Sequence, residues 1–292
     1  MRGSAFLEAT ADAGLFVMQG RLSAPDAGRF QSFPRAAWQT EIALAPTIPL
    51  RGIEWIFDVH GVGVNPLETA AGRASLCDLL RAHRVMIESV CADYFMDRPL
   101  VDGHTPQEAS VTTLRWLMNT CGEMSIRRIV LPFVDASRIT DERAAAATLD
   151  VLHGVLPDAE AAGVELHLET DLSPVVFRDL LRDIQHPLVK VNYDSGNSAA
   201  LGYRSADEFA AYGERIGSIH IKDRVLGGGT VPLGYGQADF AMLRSAIIDS
   251  DFAGGFVLQV ARGMPGDEVP WLTDVNVQVC RWLRGEAEIT TR

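Results

Sequence analysis

The chain has 292 residues, 47% of them hydrophobic and 22% charged, with a formal net charge of −12 and an isoelectric point near 5.0. Such a length can bury a large core without disulfides, and the acidic balance argues against nucleic acid or an anionic membrane as a broad electrostatic partner. Cys77, Cys91, Cys121 and Cys280 are dispersed and form no CxxC pair, which supports neither a zinc ribbon nor a thioredoxin motif and fits free thiols in the cytoplasm.

In chain order, residues 1–13 carry Glu8 and Asp12 and lack the apolar run of a signal peptide. They read as a flexible N-terminal extension. No stretch approaches the roughly 18 apolar residues of a membrane span. Short apolar strands then recur at 14–19, 52–58, 84–92, 127–133, 163–170, 188–194, 217–223 and 255–261. Helical patterns separate them at 36–46, 72–83, 106–122, 141–161, 173–184, 205–215, 238–250 and 268–284. Thr105–Pro106 reads as one helix start, and Ser173 with Pro174 as another. Eight strands alternating with eight helices, with no linker-like break, predict an α/β protein: a single (β/α)8 TIM barrel over residues 14–292. The first strand is followed by no Gly-rich dinucleotide fingerprint, which weakens a doubly wound sheet.

Alternation within the later strands carries the chemistry. In GVELHLET, Val164, Leu166 and Leu168 share one face, and Glu165, His167 and Glu169 share the other. LVKVNYD, GSIHIKD and GFVLQVA repeat the pattern. The polar face of a barrel strand points inward, and active sites of this fold lie at the C-terminal strand ends. Glu169, Asp194, His220 and Gln259 are the inward polar residues nearest those ends, on four successive strands. Two carboxylates, an imidazole and an amide oxygen suit a divalent cation such as Mn, Mg, Co or Zn. Such an ion polarises a sugar carbonyl, acidifies the neighbouring C–H and stabilises an enediolate.

The segments MQGRLS (18–23), GIEWIFD (52–58), LHLET (166–170), NYDSGN (192–197), SIHIKD (218–223), VPLGYGQADF (231–240) and FVLQVARG (256–263) resemble the xylose isomerase-like TIM barrel superfamily. Within it they are similar to sugar phosphate isomerases and epimerases of the L-ribulose-5-phosphate 3-epimerase and hexulose-6-phosphate isomerase type. The resemblance spans nearly the whole chain. It implies a metal-dependent isomerase or epimerase acting on a small-molecule sugar or sugar phosphate, with Glu169 as general base, and it leaves self-association open. It also implies ligation by Glu, Asp, His and Glu. Glu169, Asp194 and His220 match the first three, and Gln259 stands where the last Glu is expected. An amide ligates through oxygen but cannot take up a proton in this role. A one-base aldose–ketose shift, or a dehydration like that of inosose dehydratase-like relatives, therefore competes with two-base epimerisation, as does sugar binding without turnover. The same superfamily holds DNA-repair endonucleases, whose sites are richer in histidine.

Further residues have two readings each. Lys222, inward at a strand end, binds substrate or pairs with an acid. Asn197 binds substrate or shapes its turn. Gln19 and Glu54 contact substrate or are buried hydrogen-bonded groups, and Glu54 is also a candidate second acid. Arg224 and Arg262 meet a phosphate or carboxylate, or are solvated rim residues. The loop LGGGTVPLGYG (226–236) offers backbone amides for a phosphate or is merely mobile. Glu165 and Lys190 read as a buried structural pair, and Glu88, Asp93 and His60 are weaker candidates.

Overall fold

The computed structural model describes residues 2–290. Eight parallel strands close into a barrel in sequential order: β1 (Leu15–Met18), β2 (Leu50–Ile56), β3 (Ser89–Cys91), β4 (Arg128–Phe133), β5 (Glu165–Thr170), β6 (Val189–Asp194), β7 (Ile216–Ile221) and β8 (Gly255–Leu258). Closure brings Phe16 and Val17 of β1 beside Val257 and Leu258 of β8. The main helices are α1 (Arg2–Ala13), α2 (Trp38–Leu44), α3 (Ala70–His83), α4 (Glu108–Glu123), α5 (Glu142–Ala162), α6 (Pro174–Asp183), α7 (Ser195–Leu201), α8 (Ser205–Tyr212), α9 (Phe240–Asp249) and α10 (Glu268–Arg284). No described helix is long and apolar enough to cross a membrane.

The alternation sorts as the period of a strand requires. Val164, Leu166 and Leu168 are buried on the outward side of the β5 segment, while His167 and Glu169 are buried inward. Between β6 and β7 the register sets Asn192 beside Ser218 and Asp194 beside His220. One polar layer thus lies directly above another.

Several elements differ from their sequence expectation. β3 is short because Arg84 takes a left-handed conformation (φ 55°) that ends α3, and Met86 makes only a single bridge, to Gly52. β7 stops at Ile221, because Asp223–Arg224 turn away to pair antiparallel with Thr230–Val231. β8 stops at Leu258, although the Gln259 amide still donates to Ile221 O at 3.1 Å. Thr105–Pro106 pair with Val101–Asp102 in a small hairpin, so α4 starts two residues later than the Pro signal suggested.

The first residues do not form a loose extension. They make α1, in which Leu7 and Ala11 share one face and are buried. Phe6 meets Phe252 edge-on at 5.9 Å, and Asp12 pairs with Arg284 of α10 at 2.7 Å. Leu7→Ala is expected to cost about 2–5 kcal/mol, the usual range for a buried leucine, in urea unfolding. A truly loose segment would show no measurable loss.

Candidate active site at the strand ends

Asp194 ends β6 and begins α7. Its Oδ1 accepts from the Gly196 amide at 2.9 Å and the Asn197 amide at 2.8 Å, the helix cap that the sequence DSGN encodes. That commitment turns Oδ2 into the barrel, 3.9 Å from His220 Nδ1. Glu169, at the end of β5, places Oε2 3.5 Å from the same nitrogen. Asn192 donates to Glu169 Oε2 at 2.7 Å and Asn197 to Oε1 at 2.6 Å. Burial, reinforced by repulsion from Asp194, pushes the Glu169 carboxyl up to about 7.

His220 is fully buried. Its Nε2 forms an ion-pair contact of 2.7 Å with Glu54 Oε2, but neither that nitrogen nor Nδ1 makes a well-aligned hydrogen bond. Burial alone would depress the imidazole. The Glu54, Glu169 and Asp194 carboxylates outweigh that and raise it to about 9. Glu169, Asp194 and His220 each offer a ligand atom within 4.8 Å of the others. A buried, unpartnered imidazole nitrogen facing two carboxylate oxygens is a donor set suited to a divalent cation.

Behind the site a hydrogen-bonded column runs down the barrel. Ser218 Oγ donates to Asn192 Oδ1 at 2.6 Å and lies 2.7 Å from His167 Nδ1. His167 Nε2 lies 2.9 Å from Glu165 Oε2. The direct partner of Glu165 is therefore His167, not Lys190.

The remaining sequence candidates divide. Gln259 lies beside the cluster. Its Oε1 accepts from Lys222 Nζ at 3.3 Å and its Nε2 donates to Gln31 Oε1 at 3.0 Å. Lys222 Nζ also reaches Asp194 Oδ2 and Asn197 Oδ1, each at 3.2 Å. Glu169, Asn197, Lys222, Arg224 and Gln259 line a cavity of about 530 Å³ at the barrel mouth. Gln19, Glu54 and Arg262 do not line it. Gln19 Oε1 accepts from the Ile56 amide at 2.9 Å. Glu54 is fully enclosed between His220 and Ser89, and the facing imidazole overcomes burial to hold its carboxyl below the usual range. Arg262 donates to Phe30 O and Ser23 O, clamping the loop after β1 to the end of β8.

The glycine-rich loop does not present an open phosphate cradle. Its Gly234 and Gly236 amides, and the Ala238 amide just after it, donate to the buried Asp223 carboxylate, at 2.9, 2.9 and 3.0 Å. Arg224 is engaged too, with Gly228 O at 2.9 Å and Asn197 Oδ1 at 2.8 Å.

Two residues gain weight. Gln31, a loop glutamine with no distinguishing sequence signal, accepts from Arg21 and Gln259 and donates to Asp93 Oδ2 at 2.8 Å. Asp93 thereby lines the same cavity. Its carboxyl is raised by burial, against the hydrogen bonds from Gln31 and Cys91, with Asp58 and Glu54 adding repulsion.

A model of the family described as xylose isomerase-like TIM barrel matches residues 42–281. The solved structures similar to this chain include the IOLI protein with a bound zinc atom, at 18% identity and TM-score 0.71, over 92% of this chain and 98% of that one. A xylose isomerase-like TIM barrel protein from Mycobacterium smegmatis in complex with magnesium aligns at 15% identity and TM-score 0.70, over 95% and 99%. D-psicose 3-epimerase from Clostridium cellulolyticum H10, solved with D-tagatose, aligns at 12% and 0.69, over 93% and 99%. At these identities the likeness speaks for the fold. A search of curated proteins gave no match. The family match covers most of a chain that closes as an eight-stranded barrel, and the chain belongs to the xylose isomerase-like TIM barrel family.

Proposed function

We propose that the chain is a divalent-cation-dependent isomerase of an unphosphorylated ketose or keto-polyol, with Glu169 as the proton carrier. The observation that carries this reading is the convergence of Glu169, Asp194 and the unpartnered His220 Nδ1, a buried cluster that Glu169 joins to a sugar-sized cavity lined also by Asn197, Lys222 and Gln259. Zinc and magnesium in two structural neighbours, and a free sugar in a third, are consistent with it.

A cation held by these three residues would supply a Lewis acid that polarises the substrate carbonyl. The chain's own residues do the rest. Glu169 removes a proton from the hydroxyl-bearing carbon beside the carbonyl and returns it to the former carbonyl carbon, while the proton of that hydroxyl passes to the former carbonyl oxygen. Asn192 and Asn197 hold the two oxygens of Glu169; the oxygen that does not ligate the cation keeps a second lone pair for the transfer. Glu54 lies against the far nitrogen of His220, so that Nδ1 is turned toward Glu169 and Asp194 and would be available as a ligand. Gln259 cannot carry a proton, and its amide is already tied to Lys222 and Gln31. That favours a shift along one face of the substrate over inversion between two glutamates. The amides and the arginine that would have recognised a phosphate are engaged within the protein. Arg29 and Arg138 at the outer rim share it with Asp97, Asp135 and Asp171, so the mouth carries no excess of positive charge.

The test is incubation in deuterated water with free and phosphorylated ketoses and cyclic keto-polyols, with and without Mn²⁺. Deuterium should enter a carbon-bound position of a free substrate and require the ion. An absorbing enone would reassign the chain to dehydration, and absence of exchange in every substrate would refute proton transfer altogether. Glu169→Gln should lower the exchange rate by about 10²–10⁴ with the thermal unfolding profile retained. Glu54→Gln should weaken Mn²⁺ binding by about 10- to 100-fold in calorimetric titration, because His220 loses the carboxylate that orients it.

A further inference from the structure

The chain contains 26 lysine and arginine residues, and only Lys190 and Lys222 are lysines. Lys222 is the one in contact with the proposed cation ligands. Its ammonium sits among three oxygens: Asp194 Oδ2 and Asn197 Oδ1 at 3.2 Å and Gln259 Oε1 at 3.3 Å. The position is built rather than incidental. Ser195 Oγ donates to the Lys222 carbonyl at 2.7 Å and accepts from its amide at 3.0 Å, which fixes the backbone. The aliphatic stem lies on Gly196, where a Cβ would come within 2.6 Å of Lys222 Cγ.

Asp194 has only one oxygen to offer the site, because Oδ1 is committed to the first turn of α7. The ammonium and a divalent cation therefore need the same Oδ2. Two positive charges on one buried oxygen repel strongly where water cannot screen them. The amide at position 259 fits this arrangement, since its oxygen accepts from an ammonium without adding a negative charge.

We infer that Lys222 is a resident cation that competes with the divalent ion for Asp194, so that the ion enters by displacing the lysine and binds more weakly than its three ligands alone would hold it. The inference rests on Glu169, Asp194 and His220 being a cation site. The sequence chemistry agrees: a flexible, compact ammonium can withdraw from a site that a rigid guanidinium fork would hold.

The experiment is Mn²⁺ titration of the chelator-stripped chain by calorimetry, with Lys222→Met and Lys222→Gln measured at the same pH. Both substitutions should tighten Mn²⁺ binding by about tenfold or more. A second readout uses the unaltered chain: acylation of Lys222, followed by mass spectrometry with Lys190 as internal reference, should accelerate when Mn²⁺ is added. Equal Mn²⁺ affinity in all three chains, or bound Mn²⁺ with no change in Lys222 labelling, overturns the competition and leaves the cation site standing. Absence of Mn²⁺ binding in all three overturns both.

Discussion

The site depends on the division of the Asp194 carboxylate. One oxygen caps a helix of seven residues, and the other is left facing His220. A short helix has few backbone hydrogen bonds of its own, so the cap is a large part of what holds α7 at the strand end. α7 in turn delivers Asn197 to Glu169, Lys222 and Arg224. Folding of the β6–α7 junction and assembly of the site are thus one event, and neither oxygen of Asp194 can change partners without disturbing both.

The barrel was legible in the sequence because strand alternation and helix periodicity are strong local signals. All eight strands and all eight expected helices exist, with ends trimmed where a turn or small hairpin intervenes. α1 was not legible, because its apolar face becomes meaningful only against Phe252 and α10. α7 was hidden because a seven-residue helix of small residues reads as a turn. The same asymmetry applies to the site. Residues at strand ends, Glu169, Asp194, His220 and Gln259, could be placed from their parity on the strand. Parity says which face a side chain occupies but not which neighbour claims it. Gln19, Glu54 and Arg262 face inward or lie near the rim, and other groups hold each of them away from the cavity. Gln31 arrives from a loop with no periodic signal, and only the folded chain shows it between Gln259 and Asp93.

Asp223 illustrates how a motif can mislead. A run of glycines after the seventh strand suggests free backbone amides, and three of the amides in and just after it are indeed convergent. The anion they bind is the protein's own carboxylate, two residues beyond the strand. A buried Asp that accepts three amide protons organises the loop, and it leaves little of that loop's donor capacity for a substrate.

The column Glu165, His167, Ser218, Asn192 and Glu169 gives the barrel interior a direction. Asn192 links the two ends of the column, its Oδ1 accepting from Ser218 and its Nδ2 donating to Glu169. The orientation of that carboxylate is thus anchored in the packed middle of the barrel as well as by α7 above it. Loops around the mouth can lengthen, shorten or change their side chains while this lower anchor of the Glu169 carboxylate stays where it is. For the proposed reaction, substrate choice and proton-transfer geometry would then be largely separable traits, carried by different layers of one barrel.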